Sequence, residues 1–88
     1  MNRRVTWQKV LDAEVQRWSV MPYAQLRLEL YEAQVYEVIF DAQPYQVEVE
    51  LLEDTENYLH VMIAVDDGSL PASLVPLTHS FICPKPMR

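Results

Sequence analysis

The first part of the chain has the hydrophobic spacing of a helix. Apolar side chains recur at intervals of three and four residues from Trp7 to Trp18, which places them on one stripe of a helix. Thr6 has a side chain suited to the N-cap, and Ser19 with Pro22 soon after it is typical of a helix end. We therefore predict a helix over residues 6–19.

A second, shorter helix is predicted over residues 22–29. Pro22 suits its first helical position, because the N–H that proline lacks needs no partner there. The segment also contains Leu26, Leu28 and Leu30, which alternate with polar residues as the residues of a strand would. The sequence thus favours a helix here but leaves a strand open for the second half of the segment.

The rest of the chain follows the two-residue period of strands. β-Branched and aromatic residues are frequent in these segments, and polar or turn-forming residues separate them. The predicted strands cover residues 35–41, 45–53, 58–65 and 77–83. Two prolines in residues 70–76 predict an extended loop, and Pro84 and Pro86 exclude a central sheet position for the strand that they follow. Residues 84–88 are predicted to be a tail.

This order of elements predicts a single α+β domain over residues 1–88. The short connections between the first three strands favour an antiparallel meander of about four strands within residues 35–83. The helices must cover one face of that sheet, because the chain has nothing else that could bury it.

The protein has a net charge of −6, and its charged residues are unevenly distributed along the chain. Residues 28–84 contain many acidic side chains but no lysine or arginine. Such a block repels a polyanion, so we expect no binding to nucleic acid. The sequence has no apolar run of bilayer length and no readable secretory signal, and Cys83 is its single cysteine. We therefore expect a cytoplasmic protein that does not bind a membrane.

The face of the predicted meander that points away from the helices is the main functional candidate. With Val47, Val49 and Leu51 directed inward, carboxylates, apolar groups and aromatic groups share the opposite face. The predicted interaction surface consists of Glu37, Glu48, Glu50, Tyr58, His60 and Met62. Such a face could bind a partner protein or a second copy in a homodimer, or it could be a solvated surface that keeps the protein in solution.

Glu14 is predicted to be a buried polar residue, because it falls within the apolar stripe of the first helix. A buried carboxylate needs a hydrogen-bond donor. His79 is the candidate donor, since it shares a strand face with Leu77 and Phe81, and it is the second predicted buried polar residue. The carboxylate could be structural, or it could be a general acid or base.

His60 is expected to face Glu50 across two strands as a surface pair. It could also begin a metal site with Glu48 and Asp66, although the sequence lacks local metal-ligand spacing. We assign no catalytic residue, no metal ligand and no cofactor. The leading prediction is a non-enzymatic interaction or regulatory module. The alternatives are a small metal-dependent or acid/base enzyme centred on Glu14 and His79, and an acidic inhibitor or immunity-type protein.

Two parts of the sequence resemble a family of small uncharacterised bacterial proteins. The matching residues are the helix Trp7 to Ser19, the run Val65 to Ser73, and Pro76-Leu77 with Ser80-Phe81-Ile82. The resemblance implies a bacterial, cytoplasmic origin. It implies no activity, and it carries over no catalytic or binding residue.

Overall fold

The computed structural model of the chain describes residues 3–68 and 77–86. Its elements are α1 (Arg3–Ser19), α2 (Tyr23–Glu29), β1 (Gln34–Phe40), β2 (Gln43–Asp54), β3 (Tyr58–Asp66) and β4 (Leu77–Pro84). The strands form one antiparallel sheet in the order β1-β2-β3-β4, and α1 packs against β3 and β4. The predicted α+β fold and meander are therefore confirmed. The predicted loop over residues 70–76 lies outside the described residues.

Both helices begin at positions that differ from the prediction. α1 begins at Arg3, so Thr6 lies within the helix and is not its N-cap. Arginine is a good helix former, and no proline or glycine interrupts the residues before Thr6. α2 begins at Tyr23, and Pro22 is its N-cap, with an extended backbone and a carbonyl oxygen that accepts a 2.9 Å hydrogen bond from the N–H of Leu26.

The core lies between the helices and one face of the sheet, which we call the inner face. Fully buried aliphatic residues of β2 and β3 form its centre: Val47, Val49, Leu59, Val61, Ile63 and Val65. Trp7 and Trp18 cover them from α1, and Leu26 of α2 and the C-cap residue Leu30 cover them as well. The indole N–H of Trp7 donates a 2.6 Å hydrogen bond to the carbonyl oxygen of Val65, which fixes the start of α1 at the end of β3.

The opposite face of the sheet, which we call the outer face, is not covered by either helix. Its described side chains are exposed or half-buried, with the exception of the small residue Ala64 near the centre. The strand register places Glu48 opposite Ala64 and Glu50 opposite Met62 on this face. The described helices include none that is long and apolar enough to cross a membrane.

A tight turn joins β1 to β2. Asp41 and Ala42 both have positive φ angles, of 54° and 61°, and the residues on either side of them, Phe40 and Gln43, are paired. Two central residues with positive φ characterise a type I′ hairpin turn, whose twist matches that of the flanking strands. The turn therefore fixes the register of β1 against β2.

Candidate interaction surface on the outer sheet face

The six residues of the predicted interaction surface share the outer face. Glu37 lies on β1, Glu48 and Glu50 lie on β2, and the remaining three lie on β3. The two-residue alternation therefore places them as predicted, because successive side chains of a strand point to opposite faces. Their role in binding stays a prediction.

A β-bulge changes one of the predicted contacts. Between Leu51 and Glu53 the register of β2 against β3 shifts, so Glu53 is opposite His60. The predicted pair of Glu50 with His60 is therefore wrong, since Glu50 is opposite Met62. The extra residue in the bulge reverses the alternation of side chains in the last part of β2.

Glu53 is the centre of a polar cluster on the outer face. Its Oε1 atom lies 3.5 Å from Nδ1 of His60 and accepts a 3.1 Å hydrogen bond from the hydroxyl of Tyr58. This hydrogen bond and the negative charge of Glu53 raise the pKa of Tyr58 above its ordinary value. Sequence reasoning missed Glu53, because strict alternation from Val47 assigns it to the inner face, and no glycine in β2 indicates a bulge.

Charge and apolar groups are mixed on this face. We define the acidic face as the outer-face carboxylates Glu37, Glu48, Glu50, Glu53 and Asp66 together with the apolar side chains beside them. Two of the apolar side chains, Val35 and Ile39, are 64% and 65% exposed. Since residues 28–84 contain no lysine or arginine, no cationic side chain of the four strands neutralises the acidic face, apart from His60 when it is protonated.

The prediction that Glu14 is buried agrees with the structure, in which the residue is 8% exposed. Its carboxylate accepts a hydrogen bond from the hydroxyl of Tyr36 and lies 3.5 Å from Nη1 of Arg17. The hydroxyl of Tyr36 in turn accepts a 2.8 Å hydrogen bond from the indole N–H of Trp18. Among the described residues, no buried side-chain polar atom lacks a partner. This arrangement is that of a structural carboxylate that joins α1 to β1.

His79 is not the donor to Glu14, and the prediction that it is buried is wrong. The register places His79 opposite Ile63 on the inner face, but its side chain is exposed. The reason is its position on β4, an edge strand, where an inward-facing side chain lies at the margin of the core. No hydrogen bond or ion pair between described residues links His79 to Glu14.

The residues of the alternative enzyme do not converge. Glu14 hydrogen-bonds Tyr36 of β1, whereas His79 lies on β4 at the opposite edge of the sheet, and His60 lies on the outer face. In the described part of the chain, no group of three or more histidine, cysteine or acidic side chains is placed to hold a metal ion. A polar concavity of about 210 Å³ opens where α1 meets the β1–β2 turn, but its lining of Thr6, Asp41, Gln43, Tyr45 and Asp67 contains neither histidine.

The cluster around Glu14 predicts a specific loss of stability at alkaline pH. Burial, and secondly the hydrogen bond to Glu14, raises the pKa of Tyr36 from 10.0 to about 12. The unfolded chain therefore loses this proton at lower pH than the folded protein does, so the contribution of Tyr36 to stability is complete below pH 10 and declines towards pH 12.

Urea unfolding of the wild type and of Tyr36→Phe across this pH range measures the effect. All other ionisable groups are shared by the two proteins, so the difference between the two free energies of unfolding isolates Tyr36. We expect this difference to shrink above pH 10. A difference that stayed constant up to pH 12 would contradict the raised pKa.

Comparison with known proteins adds no assignment: no family model, no curated protein and no solved structure matches the chain. The resemblance to small uncharacterised bacterial proteins therefore stays a prediction.

Proposed function

We propose that the protein is a small cytoplasmic interaction module, without catalytic activity, that binds a basic partner protein through the acidic face. One observation carries this proposal. Neither helix covers the outer face in the part of the chain that the structure describes, and on this face carboxylates alternate with exposed apolar side chains while lysine and arginine are absent from its strands.

The two kinds of side chain have complementary effects on binding. Carboxylates without a basic neighbour attract lysine and arginine side chains, which raises the rate of encounter and selects basic partners. Apolar residues such as Val35, Ile39 and Ile82 lose contact with water when a partner covers them, which contributes the main favourable free energy. Val35 and Ile39 lie on β1 and Ile82 lies on β4, on either side of the carboxylates of β2, so a partner that covers the face contacts both kinds of side chain.

The same charges disfavour the other occupants of this face. Nucleic acid would place phosphates against the carboxylates. A second copy packed face to face would bring two acidic faces together, and like charges in close contact are destabilising. A basic protein is therefore the occupant that the charge distribution supports best.

The double substitution Glu48→Lys/Glu50→Lys tests this proposal. Proteins captured from the native cells by the wild type are identified and purified, and their affinity for each variant is measured by calorimetry. We expect the face variant to bind about tenfold more weakly, and we expect wild-type binding to weaken as salt is added. Glu29→Lys/Glu32→Lys is the matched control, because both residues are exposed outside the sheet and the change in net charge is the same.

The control variant should bind the purified partner within about twofold of the wild type, since surface charges far from an interface change affinity little. If the face variant bound as tightly as the control, or if wild-type capture gave no partner that resists washing, the acidic face would be a solvated surface and the proposal would be wrong.

A further inference from the structure

The two edges of the sheet differ in their capacity to accept another strand. β4 ends in Pro84, which has no backbone N–H and cannot donate a hydrogen bond to an added strand. β1 contains no proline, so each of its residues has a backbone N–H, and its links to α1 run through the inner-face side chain of Tyr36. β1 is therefore the open edge.

The turn between β1 and β2 shows which backbone groups of β1 point outward. In a two-residue hairpin the residues that flank the turn, here Phe40 and Gln43, exchange both of their backbone hydrogen bonds. Along β1, residues whose backbone N–H and C=O groups bond to β2 then alternate with residues whose backbone groups point away from β2. By this count Val35, Glu37 and Ile39 direct their N–H and C=O groups away from β2.

The partner of Ile39 supports this assignment, because it is Pro44, a residue that could not donate a hydrogen bond to β1. Among the described residues, no hydrogen bond outside the sheet reaches the backbone of Val35, Glu37 or Ile39. The same residues have outer-face side chains, so the open edge presents an exposed carboxylate between two exposed apolar side chains.

We propose that β1 accepts an extended segment of the partner as a fifth strand, with a lysine or arginine opposite Glu37 and an apolar residue two positions away on either side. Backbone hydrogen bonds to Val35, Glu37 and Ile39 would give the segment affinity, and the alternating side chains would give it specificity. The inference rests on the proposed function, since the segment belongs to the same basic partner.

Charge complementarity favours such a segment over a second copy of the chain. A second copy could pair its own β1 strand with this edge. In the register that uses all the outward backbone groups of Val35, Glu37 and Ile39, Glu37 would lie directly opposite Glu37 of the second copy. Like charges at directly opposite positions destabilise a strand pair, whereas a lysine or arginine there stabilises it.

A phage-displayed library of random nonapeptides, selected on the immobilised protein, tests the predicted pattern. On the wild type we expect a central lysine or arginine with apolar residues two positions away on each side. On Glu37→Lys we expect the central preference to change to aspartate or glutamate, because the charge that selects it is reversed. The wild type and Glu37→Lys differ only in one side chain, so this comparison of selected peptides does not depend on a variant with an altered backbone.

Binding of one selected peptide is then measured on Glu37→Pro and Glu37→Thr. Proline at position 37 removes the N–H that points away from β2, and it leaves the hydrogen bonds between β1 and β2 in place. We therefore expect the affinity for the peptide to fall about tenfold or more. Threonine keeps the backbone and removes only the charge, so its loss should stay below about fivefold. Chemical-shift changes on the wild type should centre on the amides of Val35, Glu37 and Ile39.

Peptides without the pattern, binding that Glu37→Pro leaves intact, shift changes confined to other strands, or no selected peptide at all would each overturn the inference. Self-association that sedimentation shows to depend on residue 37 would assign the edge to a second copy instead. Failure of the proposed function is distinct, because it appears as an unchanged partner affinity of Glu48→Lys/Glu50→Lys.

Discussion

Replacing Leu26 with alanine is expected to lower the free energy of unfolding by about 2–5 kcal/mol, which is the usual range when alanine replaces a buried leucine. The side chain of Leu26 is fully buried between α2 and the sheet. Small domains have total stabilities of only about 5–15 kcal/mol, so the variant loses a large share of its stability. Urea unfolding followed by tryptophan fluorescence measures the loss, because Trp7 and Trp18 lie in the same core.

Leu28→Ala is the matched control for this prediction. It is the same chemical change on the same helix, but Leu28 is 77% exposed. We expect its effect to stay within about 0.5 kcal/mol. Equal losses for the two variants would contradict the helix, because a strand would place Leu26 and Leu28 on one face, whereas the helix buries Leu26 and exposes Leu28.

Tyr36→Phe is expected to lower the free energy of unfolding by about 1–3 kcal/mol, the cost of leaving buried polar groups without a partner. The substitution removes one hydroxyl group and changes the packing little. It deprives the Trp18 indole of its acceptor and the Glu14 carboxylate of its donor, leaving Arg17 as the neighbour of that carboxylate.

Tyr31→Phe provides the control, because Tyr31 is 86% exposed and loses the same hydroxyl group. We expect a change near zero for it. Combining Tyr36→Phe with Glu14→Gln should cost less than the sum of the two single substitutions, since both remove the same hydrogen bond. A Tyr36→Phe variant as stable as Tyr31→Phe would show that the cluster does not stabilise the fold.

The architecture could be predicted because its signals are local in sequence. The spacing of Trp7 to Trp18 identifies α1, and the alternation of Val47, Val49 and Leu51 identifies β2 and its inner face. The same periodicity put Glu14 among buried residues and the predicted surface residues on one face. In a regular helix or strand, the direction of a side chain follows from the position of its residue in the repeat. A single sequence is therefore sufficient to predict which residues share a face.

The wrong predictions concern relations between elements. Glu14 needed a donor, but whether Tyr36 or His79 supplies it depends on where α1 crosses the sheet, which no local pattern records. The two-residue alternation of β4 places His79 on the inner face. Its side chain is nevertheless exposed, because it lies on an edge strand. The contact between Glu53 and His60 depends on a bulge that the side chains of β2 do not indicate.

The difference between the edges of the sheet also limits how large an assembly can become. Strand addition propagates into fibres when every newly added molecule offers a fresh edge of the same kind. Here β4 ends in Pro84, which lacks the N–H that an added strand would need, so the two edges are not equivalent templates for stacking successive copies. If the proposed segment occupies β1, we expect a complex of finite, one-to-one stoichiometry, in which the strand most exposed to aggregation is covered.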